Sequence, residues 1–254
     1  MHFAKFTSER SDPIGICNAL RRVAFRKRNF LQTIVPVVGQ ENRSTRESED
    51  EKANSYLKEK IMAEKNVRGM RVAIVVTDDF EQVELTEPKK ALQEAGATTT
   101  IIAPKSGRVQ GMNHDEKADT FPVDLTLGQA DSREFDAVVL PGGALNADAL
   151  RVDEKAQEFV RTMDRQGKPL AVICHGPWLL VSAGLVKGRK LTSYHTIRDD
   201  ICNAGATWED REVIRDRNWV SSRQPKDLPA FNREMIALFA ELRTQAEEQR
   251  VGVG

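Results

Sequence analysis

Cysteine is scarce in this chain: three residues in 254, Cys17, Cys174 and Cys202, with no Cys-x-x-Cys among them. They are too few and too scattered for a disulfide framework, and a reducing cytosol is the compartment this implies. Net charge is also absent. Lys+Arg and Asp+Glu number 38 each, so no global field draws the chain onto nucleic acid or an anionic membrane surface. No apolar run approaches the roughly 18 residues of a membrane span. The four histidines, His2, His114, His175 and His195, show no metal-ligand spacing. The glycine pair after Pro141 lacks the downstream Gly-Lys-Ser/Thr of a phosphate loop. A site without metal or nucleotide cofactor is therefore expected.

What is present divides the chain in two. Residues 1–66 differ from the rest. Up to Gln40 they carry Lys5, Arg10, Arg21, Arg22, Arg26, Lys27 and Arg28 against Glu9 and Asp12. From Glu41 to Lys65 the chain is almost wholly polar, and such a stretch buries too little apolar surface to offset its ordering entropy. Three readings stand: an organellar targeting peptide, a disordered extension, or an upstream segment of a chain whose translation starts at Met62 or Met70.

Residues 67–247 read as one α/β domain. The spacing predicts buried strands at 71–77, 98–103, 136–140 and 170–174, short and apolar or β-branched. Helices are predicted at about 83–95, ended by Gly96, and around Ala156, Phe159, Val160 and Met163, which fall on one stripe ended by Gly167. Further helices are expected at 176–183, 198–204 and 228–247, the last with Phe231, Met235, Leu238, Phe239 and Leu242 on one face. Residues 106–124 suggest a hairpin or irregular excursion, 189–194 an extended segment, and 212–216 with 219–222 a strand pair. Strands alternating with helices imply a mostly parallel sheet covered on both faces, a flavodoxin- or Rossmann-like three-layer sandwich. Ligands in such sheets bind beyond the carboxyl ends of the strands.

Two motifs lie there. Cys174 stands at the end of one strand, directly before a helix, with Gly176 allowing a tight turn of the nucleophile-elbow kind. A helix N-terminus stabilises a thiolate, and the N–H of His175 would face an oxyanion formed on attack. Pro141-Gly142-Gly143, at the end of the neighbouring strand, offers the N–H groups of Gly142 and Gly143 with no side chain in the way. Cys202, on a helix beside Ile201, is expected to be an ordinary core cysteine, and Cys17 is given no role.

The segments Ile173-Cys174-His175-Gly176-Pro177, Leu140-Pro141-Gly142-Gly143, Thr192-Ser193-Tyr194, Asn203-Ala204-Gly205-Ala206 and Ser221 to Phe231 closely resemble the PfpI family of the class I glutamine-amidotransferase-like superfamily. The resemblance covers about Val67 to Leu242, with the motifs in order. It implies that Cys174 is the nucleophile and His175 its neighbour in the site. In Asp79-Phe80-Glu81-Gln82-Val83-Glu84-Leu85 it makes Glu84 the carboxyl that hydrogen-bonds the cysteine, while Glu81 is expected on the solvated or subunit-facing side. A protonated carboxyl there is chemically sensible, because two adjacent anions repel. The resemblance also implies an acid that completes a Cys-His-acid triad across a subunit interface. Asp148 matches it at a spacing one residue longer than usual, and a helix N-cap or exposed helix acid is the competing reading. His195 stands where the family commonly has proline, either as a second acid/base group or as a loop histidine.

The function implied is that of a cysteine-dependent, stress-related hydrolase working as a homo-oligomer, dimer or hexamer. Its substrates would be reactive carbonyls or glycated groups (glyoxalase- or deglycase-like activity) or peptides. The carbonyl class ranks first, because peptide cleavage needs a competent acid for the leaving amine and Asp148 is the weakest part of the site. The alternative is a redox sensor or holdase chaperone in which an oxidisable Cys174 never turns over.

Overall fold

The computed structural model describes residues 67–251; the expectations for residues 1–66, Cys17 among them, lie outside these. Seven strands form the main sheet, in the order β11 (Val213–Asp216), β12 (Trp219–Ser222), β8 (Leu170–Ile173), β7 (Ala137–Leu140), β1 (Arg71–Val75), β3 (Thr98–Ala103) and β6 (Leu125–Thr126). Every pairing is parallel except the β11–β12 hairpin at one edge. Strands this apolar have no solvent face to spare. In β1, Val72 and Ile74 enter one core with helices α1 (Gln82–Glu94) and α6 (Leu228–Val251). Ala73 and Val75 enter the other, with α2 (Ala144–Arg151), α3 (Glu154–Arg165) and α4 (Pro177–Ser182). This is the three-layer sandwich expected from the sequence. Each fully buried aliphatic side chain stabilises it by roughly 1.5–3 kcal/mol.

From β1 the chain crosses through α1 to β3 on one side, and β7 then adds on the other side of β1. The reversal opens a crevice at the carboxyl ends of β1, β7 and β8, where open α/β sheets hold their ligands. The segment expected as a hairpin or excursion is a hairpin, β4 (Arg108–Asn113) with β5 (Glu116–Pro122), irregular at Gly111. It is joined by a two-residue strand, β2 (Phe80–Glu81), which pairs parallel to β4. The hairpin thus holds down the acidic turn that leads into α1.

The remaining elements differ from the sequence reading mainly at their ends. Of the extended segment 189–194 only Lys190–Leu191 is a strand (β9), paired with Thr207–Trp208 (β10), on either side of α5 (Arg198–Asn203). Helix α2 was anticipated only by the competing reading of Asp148 as an exposed helix acid. It has only eight residues and no side-chain N-cap, so its signal in the sequence is weak. Among the described residues no helix is long and apolar enough to cross a membrane.

Candidate active site

The main-chain bend after β8 is taken by the cysteine itself. Cys174 has φ +61°, a left-handed conformation that costs a side-chain-bearing residue about 1–2 kcal/mol. Two backbone bonds hold it there: Cys174 N–H donates to Ser222 O at 3.1 Å, and Tyr194 N–H donates to Cys174 O at 2.9 Å. Gly176 serves the turn differently from the sequence expectation. Its φ is ordinary, but a Cβ there would lie 2.7 Å from Leu140 O and 3.0 Å from Ile173 O. The glycine lets the start of α4 press against the end of β7.

Glu84 reaches the sulfur from the other side of the crevice. It is fully buried, its Oε2 accepts the Gly142 N–H at 2.8 Å, and its carboxyl faces the Cys174 side chain. Its Oε1 has no hydrogen-bond partner among the described residues, so it is the oxygen free to carry a proton. Burial pushes the carboxyl up to about 8, against the pull of the Gly142 N–H, and the charge of Glu81 adds to the push. Glu84 is therefore mostly neutral at pH 7, as the argument from adjacent anions requires. A Cβ on residue 142 would lie 2.5 Å from Cys174 Cβ and 2.6 Å from Glu84 Oε2. Only glycine lets the ends of β7 and β8 and the first turn of α1 meet this closely.

The N–H groups of Gly143 and His175 point at Cys174 Sγ. Gly142, expected as a third donor, is corrected: its N–H is committed to Glu84. The expected stabilisation of a thiolate by these N–H groups is opposed by burial. Cys174 is only 7 % exposed, and burial pushes its thiol up, as would a Glu84 carboxylate beside it. A protonated Glu84 removes that second push and instead donates to any thiolate that forms. The helix that was to stabilise the thiolate begins at Pro177 and has only six residues.

His175 completes the arrangement within the chain. Its Nδ1 lies 3.2 Å from Cys174 Sγ and its Nε2 lies 3.2 Å from Thr196 Oγ1. Burial, and then the charge of His195, hold the imidazole below its usual range, so it is neutral and free to accept a proton. The ring packs on Tyr194 at 4.9 Å and Trp178 at 5.6 Å between centroids.

Asp148 does not join this set. It sits in the middle of α2, exposed, with no hydrogen bond or ion pair among the described residues, so in one copy it is remote from the triad role expected across a subunit interface. It is not a helix N-cap, since Gly143 holds that position. His195 is exposed on a 3₁₀ turn, its ring 4.6 Å from that of Tyr194. Glu81, expected on the solvated or subunit-facing side, is not solvated: it is buried at 9 % exposure and accepts the His114 N–H. Cys202, expected in the core, is exposed because Ile201 takes the inward position of the short α5.

Two residues had no place in the sequence reading. Asn146 is fully buried: its Oδ1 accepts the Thr77 N–H at 2.7 Å, and its Nδ2 donates to Gly142 O at 2.9 Å and Pro141 O at 3.2 Å. It fastens the glycine turn to the chain leaving β1. Thr196 is the other. An asparagine inside a short helix and a threonine beside a histidine are too common to stand out in a single sequence.

Residues 70–238 match the family model described as the DJ-1/PfpI family. The chain belongs to the DJ-1/PfpI family. Its similarity to "Deglycase PfpI" of Pyrococcus furiosus is 47 % identity over 170 residues, spanning 67 % of this chain and 99 % of that one. A "Putative cysteine protease YraA" of Bacillus subtilis is 41 % identical over 169 residues, spanning 66 % and 98 %. The crystal structure of Drosophila melanogaster DJ-1beta superposes with a TM-score of 0.62 over 72 % of this chain and 97 % of that one, at 24 % identity. That likeness is one of fold. Among the described residues of this DJ-1/PfpI chain, no cluster of three or more His, Cys, Asp or Glu is placed to hold a metal ion.

Proposed function

We propose that the chain is a cysteine-dependent hydrolase of the PfpI type whose preferred substrates are reactive carbonyls or glycated groups, with Cys174 as nucleophile. The observation that carries this reading is the surround of Cys174 Sγ: the His175 imidazole, a protonated Glu84 and two inward N–H groups. As Sγ adds to a carbonyl carbon, the thiol proton passes to His175 Nδ1 and the carbonyl π pair moves onto oxygen. The Gly143 and His175 N–H groups take up that oxyanion, and Glu84 donates to the sulfur while it carries charge. The proton on His175 then returns to the oxygen, leaving a neutral hemithioacetal. With an α-dicarbonyl, the hemithioacetal isomerises as the hydrogen on its carbon passes to the neighbouring carbonyl carbon, giving a 2-hydroxy thioester. Water then cleaves the C–S bond, releasing the 2-hydroxy acid and the Cys174 thiol, so the aldehyde carbon is oxidised, its neighbour is reduced and no external oxidant is needed.

Peptide cleavage ranks second. Among the described residues of one copy no carboxylate stands at His175 Nε2, where the Thr196 hydroxyl lies, so the imidazolium that must protonate a leaving amine would need its acid from a second copy. The relatives' names carry both activities, deglycase and cysteine protease. The test is turnover of methylglyoxal and of a fluorogenic peptide by the full chain and by Cys174→Ser. Dicarbonyl turnover lost in Cys174→Ser supports the proposal. Peptide turnover alone would move the protease reading ahead. Oxidation of Cys174 with no turnover of either would replace both with a redox sensor.

A further inference from the structure

We propose that Thr196 is the positioning residue for His175, its hydroxyl accepting the Nε2–H and so holding the imidazole in the tautomer whose Nδ1 lone pair faces the Cys174 thiol. The proposal rests on the reading of Cys174 as nucleophile and goes beyond it in naming what aligns the base. A neutral imidazole has one N–H and one lone pair, and which nitrogen carries the proton is set by the partner of the other. Here the two nitrogens have one partner each, Cys174 Sγ and Thr196 Oγ1, both at 3.2 Å.

The hydroxyl is held in place by its turn. Thr196 is flanked by Ile197, fully buried with Leu191 and Ile201 in a small separate core. Ile197 N–H donates to Tyr194 O at 3.3 Å, and Tyr194 N–H donates to Cys174 O. The turn that carries the hydroxyl is therefore tied to the residue that carries the sulfur. A threonine differs from the acid of a Cys-His-acid triad in one respect. It orients the ring without adding charge, so it does not favour the imidazolium. The charged or titratable groups around His175 are Cys174 and Glu84 on one side and Tyr194 and His195 on the other. Arg151 and Asp200 stand beyond, through Trp178. Among the described residues none is a carboxylate hydrogen-bonded to the ring.

The experiment uses the full chain with ¹⁵N-labelled histidine. Long-range ¹H–¹⁵N spectra assign the His175 tautomer, alkylation of Cys174 by iodoacetamide at pH 7 reads the base, and methylglyoxal turnover gives kcat and KM. Wild type should show the Nε2–H form. A general base contributes roughly 10²–10⁴-fold, and losing its alignment but keeping the group should lower kcat and the alkylation rate in Thr196→Val by about 10-fold with KM unchanged. Thr196→Ser should restore both rates. Thr196→Asp should raise the pH at which His175 titrates. A wild-type Nδ1–H form, or an unchanged tautomer and alkylation rate in Thr196→Val, would overturn the proposal. The wild-type spectrum decides this even if the valine variant fails to fold. If no substrate is turned over, the functional reading falls, while tautomer and alkylation still judge Thr196.

Discussion

Glu84→Gln should flatten part of the pH dependence of stability. A carboxyl raised from its ordinary 4.5 to about 8 in the folded chain binds a proton that the unfolded chain has already released. Its contribution to stability is fully present below pH 4.5, falls between pH 4.5 and 8, and is gone above. The slope in that window is roughly 1.4 kcal/mol per pH unit, so between pH 5 and 7.5 wild type should lose roughly 3 kcal/mol from this group alone. Glutamine fills the same space, its oxygen can accept the Gly142 N–H, and its NH₂ can donate to sulfur as the protonated acid does. It has nothing to titrate. Urea denaturation of both proteins at half-unit pH intervals gives the difference, in which every group common to both cancels. Parallel curves would refute the reasoning, because they would mean that Glu84 ionises in the native chain as it does in the unfolded one.

Four further outcomes follow from the same geometry. Gly142→Ala should fold poorly or lose turnover by about two orders of magnitude, because its methyl group would meet Cys174 Cβ and Glu84 Oε2; kinetics and a thermal melt read both. Asn146→Leu leaves the Thr77 N–H and two turn carbonyls unpaired, and should destabilise the fold by roughly 2–4 kcal/mol by urea titration. Asp148→Asn should leave turnover within about 2-fold, as expected of an exposed surface position; a loss of 100-fold would place this acid against a second copy's His175. In an iodoacetamide pH series, exposed Cys202 should label first and Cys174 only at more alkaline pH, since burial raises its thiol. Rapid labelling of Cys174 at pH 6 would show that a thiolate exists before substrate arrives.

Much of this site was legible in the chain because its parts are marked by residues rare elsewhere. Short runs such as Leu170 to Ile173 announce parallel strands, since only a strand buried on both faces is apolar at every position. A cysteine between such a run and a helix start falls at the sheet's carboxyl edge, and Pro141-Gly142-Gly143 lands beside it by the same logic. What was not legible depends on three-dimensional neighbours. Cys202 reads as core from its neighbour Ile201, but on a helix of one and a half turns only one of the two faces inward. Glu81 reads as solvated until a hairpin more than 25 residues away covers it. The thiol's ionisation could not be read from a helix start, because burial opposes the backbone dipoles and the state of the facing Glu84 carboxyl enters as well. Thr196 and Asn146 matter only through partners distant in sequence.

The backbone of Cys174 is also a rung of the sheet, bonded through N–H to Ser222 and through C=O to Tyr194. Its main chain therefore cannot swing out toward solvent without parting from both neighbours, and the sulfur it carries stays largely buried. Reagents must travel inward to it, so the width of the crevice acts as a sieve ahead of any chemistry. An adduct formed there would be sheltered from exchange, and its lifetime would be set by how often the sheet edge breathes.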